Sequence, residues 1–220
     1  ARFGRSLALD GETALIGADL ESEVLGSVYV FERVSQAPES WVETAKLVVP
    51  GGWFGWSVSL SGDVAVAGAP REGSGRAYVF ERDDAGTPGD PTDDTWPQVE
   101  RLHNLTSGVN DHFGSSVAVW KDTIAVGAPE DDDGCAELPS CNAGQVYVYR
   151  RVESALPGHE EVRWVPIATL LESTPMPSNS LGDPLALEER TLYGGLASDD
   201  TFQHTGGSVA VFGATVSQSN

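Results

Sequence analysis

Hydrophobic and polar positions follow a short pattern that occurs four times along the chain. In its clearest copy, FGSSVAVWKDTIAVGAP at residues 113–129, an apolar segment with Val117 and Val119 in alternation is followed by a polar turn at Lys121 and Asp122, a second apolar segment and a Gly-Ala-Pro stop. The alternation predicts two strands, and the Gly-Ala-Pro stop ends the second of them. Because an internal repeat constrains a fold more strongly than any local signal, the other three copies decide the interpretation.

The four copies align without a gap. In each, the glycine at the end of the second apolar segment stands fourteen positions after the first residue of the copy. They begin at Phe3-Gly4, Phe54-Gly55, Phe113-Gly114 and Leu181-Gly182. The fourth copy is degenerate, because Leu181 replaces phenylalanine and Pro184 stands where the others have serine. Proline is tolerated in a strand when that strand lies at the edge of its sheet.

Each hairpin is followed by a glycine and a further alternating strand, which begins after Gly26, Gly75, Gly144 and Gly207. In three repeats a tryptophan and, six residues later, a leucine follow: Trp41 and Leu47, Trp96 and Leu102, Trp164 and Leu170. Residues six apart lie on one face of a strand, so each pair predicts a fourth strand with one buried side. The repeat is therefore four strands, A to D, and the last repeat lacks strand D.

These motifs resemble the FG-GAP repeat, which occurs in the seven-bladed propeller of integrin alpha chains and in secreted bacterial proteins. The resemblance implies an all-β fold, a β-propeller of four-stranded antiparallel blades with strand A nearest the axis and the last blade incomplete. A single domain over residues 1–220 is expected, with blades at 1–53, 54–112, 113–180 and 181–220. Packing blades face to face around a ring buries sheet faces that one twisted sheet cannot cover.

The missing fourth strand leaves strand C of the last repeat as an apolar edge, with Val209, Val211 and Phe212 as the candidate assembly residues. Exposed strand edges are normally covered. Three segments would serve: the N-terminal part of a longer parent chain, residues 213–220 folding back, or a strand from another subunit, which would make a homo-oligomer.

Charge excludes several classes of partner. The chain has 13 Lys and Arg against 33 Asp and Glu, a net charge of −20 and a sequence pI near 4.3. Nucleic-acid binding and attachment to an anionic membrane both need clustered cations. No apolar run reaches eighteen residues, so no membrane insertion is expected. The acidity indicates either solubility in a salty extracellular medium or a cation-binding surface.

No signal peptide precedes Phe3, which indicates a trimmed mature chain or a fragment of a longer one. Cys135 and Cys141 stand in one loop. Their spacing fits neither a metal site nor a redox motif, so a local disulfide in an oxidising, extracellular compartment is expected, with two free thiols as the alternative.

No cofactor is expected to be required. Calcium-binding FG-GAP repeats carry several aspartates in the turn between strands A and B, whereas these turns have too few carboxylates for calcium. The run Asp131, Asp132 and Asp133 after the third Gly-Ala-Pro is the remaining candidate for Ca²⁺, and a solvated acidic loop is the alternative.

Motifs of hydrolases, metalloproteases and phosphate-binding loops are absent from the sequence, so no enzymatic activity is expected. The loops between B and C and between D and A would emerge on one face, where propellers commonly bind. Candidate ligand-binding residues there are Trp53, Arg71, His103, His112, Phe202 and His204. An exposed aromatic ring can stack on a sugar or anchor a protein, and packing under the loops is the alternative.

The leading functional hypothesis is a non-enzymatic extracellular recognition or adhesion module that binds a protein or glycan through these loops. One alternative is a structural subunit of a surface layer or filament that assembles with copies of itself by strand complementation. Another is an accessory domain of a large secreted enzyme. Fold alone does not decide among them.

Overall fold

A computed structural model describes residues 2–21, 25–36, 38–87, 90–104, 110–133, 142–153, 162–172, 179–189, 191–196 and 207–213. Within these ranges the chain forms fifteen strands. They are β1 Phe3–Asp10, β2 Thr13–Ala18, β3 Ser27–Gln36, β4 Glu39–Leu47, β5 Val58–Ser61, β6 Val64–Ala69, β7 Arg76–Glu81, β8 Gln98–Leu102, β9 Ser116–Trp120, β10 Thr123–Ala128, β11 Gln145–Glu153, β12 Val162–Leu170, β13 Leu181–Glu188, β14 Thr191–Leu196 and β15 Ser208–Gly213.

The strands form four antiparallel sheets, and each sheet follows chain order. The first three have four strands (β1–β4, β5–β8 and β9–β12), and the described part of the fourth has three (β13–β15). The all-β fold and the incomplete last blade were both expected from the repeats. We call the sheets blades 1 to 4; the predicted blade boundaries, which include the connecting loops, stay a prediction.

Neighbouring blades pack face to face through apolar clusters. Each blade has a leading face, turned toward the preceding blade, and a trailing face, turned toward the following one. Between blades 1 and 2, the trailing Leu15 and Val28 pack in one cluster with the leading Phe54, Val58 and Phe80. Blades 2 and 3 and blades 3 and 4 are joined by equivalent clusters. The core of the molecule is therefore a series of interfaces between blades.

The Phe-Gly pair of each repeat is the point at which one blade enters the preceding one. Phe54 is fully buried, its backbone N–H donates to the carbonyl of Leu25 at 3.0 Å, and the residue forms a parallel bridge with Gly26. Phe113 repeats this arrangement against Ser74 and Gly75. Aromatic burial and a backbone hydrogen bond therefore act at the same place in successive repeats.

A serine hydroxyl completes each of these joints. Ser6 donates to the carbonyl of Gly55 at 2.9 Å, Ser57 donates to that of Gly114 at 2.9 Å, and Ser116 donates to that of Gly182. The glycine carbonyl also lies where a side chain would stand on Gly17, Gly68 or Gly127, and an added methyl group there would collide with it. Glycine is required at these positions because two backbones approach closely.

The two outermost faces of the arc are open. On the leading face of blade 1, Phe3 is 56% exposed and Leu7 is 69% exposed. On the trailing face of blade 4, Val209 is 63% exposed and Val211 is 61% exposed. Four blades thus pack in series, and the described residues leave one apolar face uncovered at each end.

The predicted assembly edge lies at the margin of blade 4. β15 pairs with β14 on one side and is the last strand of its sheet among the described residues. Phe212 is half-buried and belongs to the cluster between blades 3 and 4, whereas Val209 and Val211 are exposed. Residues 214–220, proposed to fold back on this edge, lie outside the described residues.

Replacing Phe54 by alanine is expected to lower the free energy of unfolding by about 3–5 kcal/mol, because it removes a fully buried ring and leaves a cavity. The same change at the equivalent but exposed Phe3 is expected to cost less than about 1 kcal/mol. Urea denaturation followed by circular dichroism measures both. Equal losses for the two variants would contradict the assignment of Phe54 to a joint between blades.

Candidate functional site

The loops between strands B and C and those between D and A meet on one face of the molecule, here called the loop face. The backbone N–H of Arg71 donates to the carbonyl of Gly52 at 3.3 Å, and one repeat later Glu130 makes the same bond to Asp111, also at 3.3 Å. Two loops of each type are therefore held together by the same backbone contact in successive repeats.

The residue before the Phe-Gly pair of blades 2 and 3 has a left-handed backbone, with φ of 62° at Trp53 and 54° at His112. Its side chain meets the residue that follows Gly-Ala-Pro in the adjoining loop. The Arg71 guanidinium lies 4.8 Å from the Trp53 ring centroid, whereas Nδ1 of His112 lies 2.7 Å from Oε1 of Glu130. One backbone frame therefore carries an arginine–tryptophan pair in one repeat and a histidine–glutamate pair in the next.

Trp53 and Trp56 form a stacked aromatic pair on this face. Their rings stack at 5.1 Å between centroids with an interplanar angle of 16°. Arg5 covers the outer side of Trp56 at 3.7 Å, and Arg71 covers Trp53 at 4.8 Å. We call these four residues the arginine–tryptophan ladder. Both indoles remain partly exposed, and neither outer guanidinium forms a salt bridge with any described residue.

The ladder concentrates positive charge in a strongly acidic chain. A third arginine, Arg2, lies 5.8 Å from the Trp56 centroid and pairs with the buried Asp19 at 2.6 Å. Each guanidinium held over an indole contributes roughly 0.5–2 kcal/mol, depending on desolvation. The arrangement presents indole edges and guanidinium hydrogen-bond donors side by side.

One end of the ladder borders a cavity of about 230 Å³ that residues of all four blades line. Its lining includes the residue that directly follows each Phe-Gly or Leu-Gly pair: Arg5, Trp56, Ser115 and Asp183. Burial raises the pKa of Asp183, and the nearby Arg5 opposes that shift. Sequence reasoning missed this ring of four residues, although alignment of the repeats places them at one position.

In three repeats, a carboxylate shortly after the Gly-Ala stop accepts a hydrogen bond from a tyrosine of strand C. Asp131 is buried and accepts hydrogen bonds from the Tyr147 hydroxyl at 2.6 Å and from Gln145 Nε2 at 2.9 Å. The equivalent pairs in blades 1 and 2 are Tyr29 with Glu21, at 2.8 Å, and Tyr78 with Glu72, at 2.6 Å. Asp131 thus fastens its loop to strand C.

The hydrogen bonds of Asp131 are separate from the calcium binding predicted for residues 131–133. Besides Tyr147 and Gln145, Asp131 accepts a bond from the backbone N–H of Asp133 at 3.1 Å. Among the described residues, no group of three or more His, Cys, Asp or Glu side chains is placed to hold a metal ion. Calcium binding by Asp131, Asp132 and Asp133 stays a prediction. Cys135 and Cys141 lie outside the described residues, so the predicted disulfide does too.

Asp111 is a buried carboxylate beneath the same loops. It accepts a hydrogen bond from Asn104 Nδ2 at 2.6 Å and is 2% exposed. Burial, reinforced by the negative charge of Asp131 and its neighbours, raises the pKa of Asp111 to about 6.

The remaining predicted ligand residues are dispersed. His103 is exposed at the end of β8, and its backbone carbonyl accepts a hydrogen bond from the Tyr149 hydroxyl at 2.6 Å. Phe202 and His204 lie outside the described residues. The structure therefore brings together Trp53 and Arg71 from the predicted set, and it adds Arg5 and Trp56.

The sequence pattern of the FG-GAP repeat matches residues 1–31, 41–80 and 96–149, which is more than half of the chain. The chain belongs to the FG-GAP repeat family. The match ends before blade 4, whose degenerate repeat is nevertheless a sheet of the same topology. A comparison with curated proteins finds no match to this FG-GAP chain.

Solved β-propellers share the fold of this FG-GAP chain. The propeller domain of Cps50 (Swd1) from Myceliophteria thermophila is similar with a TM-score of 0.53 and 11% identity, over 96% of this chain and 53% of that one. Sqt1 from Chaetomium thermophilum, bound to the N-terminus of ribosomal protein L10, gives 0.51 and 13%, over 94% and 44%. The FG-GAP chain thus spans about half the length of these propellers.

The part of the FG-GAP chain that the structure describes contains no helix with the length and apolarity needed to cross a membrane.

Replacing Asp111 by asparagine is expected to stabilise the protein at pH 7 by about 1–3 kcal/mol. The pKa of Asp111 is higher in the folded protein than in the unfolded chain. Its contribution to the free energy of unfolding is therefore fully present below about pH 4 and is lost as the pH rises through about 6. The variant should therefore also show a smaller fall in unfolding free energy over that window.

Urea denaturation at several pH values measures this, with the exposed Asp122→Asn as a control that removes one charge on the opposite face. An identical pH dependence in wild type and Asp111→Asn would contradict the assignment.

Proposed function

We propose that this FG-GAP propeller chain is a non-enzymatic recognition module of an extracellular or cell-surface protein, which binds a protein or glycan through its loop face. The observation that carries the proposal is the arginine–tryptophan ladder on the loop face. Partly exposed stacked indoles, capped by arginines without a described salt-bridge partner, form a surface suited to recognition.

The chemistry of the ladder favours a ligand that combines a flat or apolar part with an anionic group. A sugar ring or an aromatic side chain packs against the exposed indole edges, while a carboxylate or sulfate accepts hydrogen bonds from Arg5 or Arg71. Arginine is suited to this role because its planar fork donates two parallel hydrogen bonds. The net charge of −20 on the chain would repel acidic molecules that lack a specific fit.

The family and the fold support this class of function. FG-GAP propellers are generally non-enzymatic and typically extracellular. A similar propeller, Sqt1, was solved bound to the N-terminus of another protein. Extracellular location would also fit the predicted disulfide at Cys135 and Cys141.

The variants Trp53→Ala and Arg71→Ala are each expected to reduce binding to the loop face at least about tenfold, because each removes a central contact of the ladder. The matched control is Trp120→Ala. Trp120 is also partly buried beneath a cation, with Lys121 at 5.5 Å, but it lies at the turn between strands A and B on the opposite face.

The measurement is binding of the labelled chain to arrays of carboxylated, sulfated and neutral oligosaccharides and of extracellular proteins. Signals lost with Trp53→Ala and retained with Trp120→Ala would support the proposal. Failure of every probe, or equal loss with both variants, would count against the loop face.

A structural subunit assembled by strand complementation is the second candidate. The position of β15 as the last strand of its sheet among the described residues favours it, as does a cavity of about 680 Å³ between blades 3 and 4, lined in part by Leu170, Leu187 and Phe212. A strand added to β15 would both complete the sheet and cover this space.

Strand addition is expected to slow hydrogen exchange of the outward-facing amides of residues 208–213 as the protein concentration rises. Mass spectrometry of exchanged peptides measures this, with β4, the outer strand of blade 1, as the internal control. Exchange in 208–213 that does not change with concentration would contradict strand complementation in trans.

A further inference from the structure

The leading face of blade 1 carries the residue types that are buried in the leading faces of blades 2 and 3. Leu7 corresponds to Val58 and Val117, which are 9% and 6% exposed, whereas Leu7 is 69% exposed. Phe3 corresponds to the fully buried Phe54 and Phe113. The face is thus built like half of an interface between blades.

The trailing face of blade 4 is built like the complementary half. Val209 is 63% exposed, although its equivalents Val28, Ala77 and Val146 are fully buried. Tyr193 likewise takes the place of buried residues on the trailing faces of the other blades. Gly207, at the position where Gly75 receives Phe113, is exposed as well.

We infer that these two faces bind each other between two copies of the chain. The leading face of one copy packs on the trailing face of its partner, and the second pair of faces does the same, so that two four-bladed arcs close into one ring of eight blades. The contact is head to tail, and it is separate from pairing at the edge of β15.

The internal interfaces decide this choice of occupant. All three join a leading face to a trailing face, with the aromatic or leucine residue of one entering beside the glycine of the other. Two leading faces placed together would bring Phe3 against Phe3 with no glycine to receive it. A second copy supplies a trailing face for Phe3 and a leading face for Val209 at once.

The length of the arc agrees with closure by two copies. This chain aligns along 96% of its length with 53% of one propeller and along 94% of its length with 44% of another. Four blades therefore follow about half of a ring. Two equal arcs close such a ring, since a head-to-tail contact gives a closed assembly when its rotation completes a full turn.

The joint between copies has fewer polar contacts than the joints within a copy. Pro184 stands where Ser116 donates to the next blade, so that hydrogen bond is absent. Gly213 occupies the position of Glu81, whose carboxylate forms a salt bridge with Arg151 at 3.0 Å, so the joint between copies lacks this ion pair as well. Each copy also carries a charge of −20. Association should therefore be reversible and should strengthen as salt screens the repulsion.

The test is sedimentation velocity of the 220-residue chain over a wide range of protein and salt concentration. The expected result is one species of twice 23.2 kDa that becomes more abundant with protein and with salt. Leu7→Asp and Val209→Asp are each expected to weaken it about 100-fold or more, because each would bury an unpaired carboxylate. Val152→Asp, a charge placed on an exposed valine of blade 3, is the matched control.

Mixing the two variants tests directly whether a leading face binds a trailing face. Leu7→Asp keeps an intact trailing face and Val209→Asp keeps an intact leading face, so the mixture should recover a two-chain species held by one sound joint. Recovery also shows that both variants are folded, which circular dichroism checks independently.

Four outcomes would overturn the inference. They are a monomer under all conditions, dimers that survive Val209→Asp, dimers that survive Leu7→Asp, and growth into polymers of increasing length. Survival of Val209→Asp would indicate pairing of two leading faces. Survival of Leu7→Asp would indicate pairing at the β15 edge.

Discussion

The approach of a Phe-Gly backbone to a glycine of the preceding blade is the constraint on which the architecture depends. At that point one blade inserts a buried side chain, receives a serine hydroxyl on its glycine carbonyl and takes the space that a side chain would fill on Gly68 or its equivalents. No other residue type permits this distance between backbones. The repeat is recognisable in the sequence because this contact fixes several residues at once.

The sequence was sufficient to predict features that depend on one repeat. The fifteen strands, their antiparallel order and the incomplete last blade follow from period-two patterns and repeated landmarks. Exposure depends on neighbouring blades and could not be predicted in this way. Trp96 and Trp164 are 6% and 4% exposed, whereas Trp41 in the same register is half-exposed because no described blade packs against that face of blade 1.

The candidate site was predicted in part, for a related physical reason. Trp53 and Arg71 were singled out as candidate ligand-binding residues in the loops of one face. Arg5 and Trp56 were missed as partners because their contact joins different blades, and its geometry depends on how those blades are rotated. Asp131 was interpreted from local charge alone, whereas its hydrogen bond to Tyr147 depends on a strand sixteen residues away. A comparison of equivalent positions among the repeats indicates the tyrosine–carboxylate pairs and the position that Arg5 and Trp56 share.

Pro184 gives the molecule an asymmetry under mechanical load. A blade docked on the trailing face of blade 4 lacks the serine hydroxyl that holds every other joint, and neighbouring blades share the load in series. Under tension between adjacent blades, that joint would part first while the arc of four stayed intact. In the proposed ring of two copies, Pro184 would therefore determine which joint opens first.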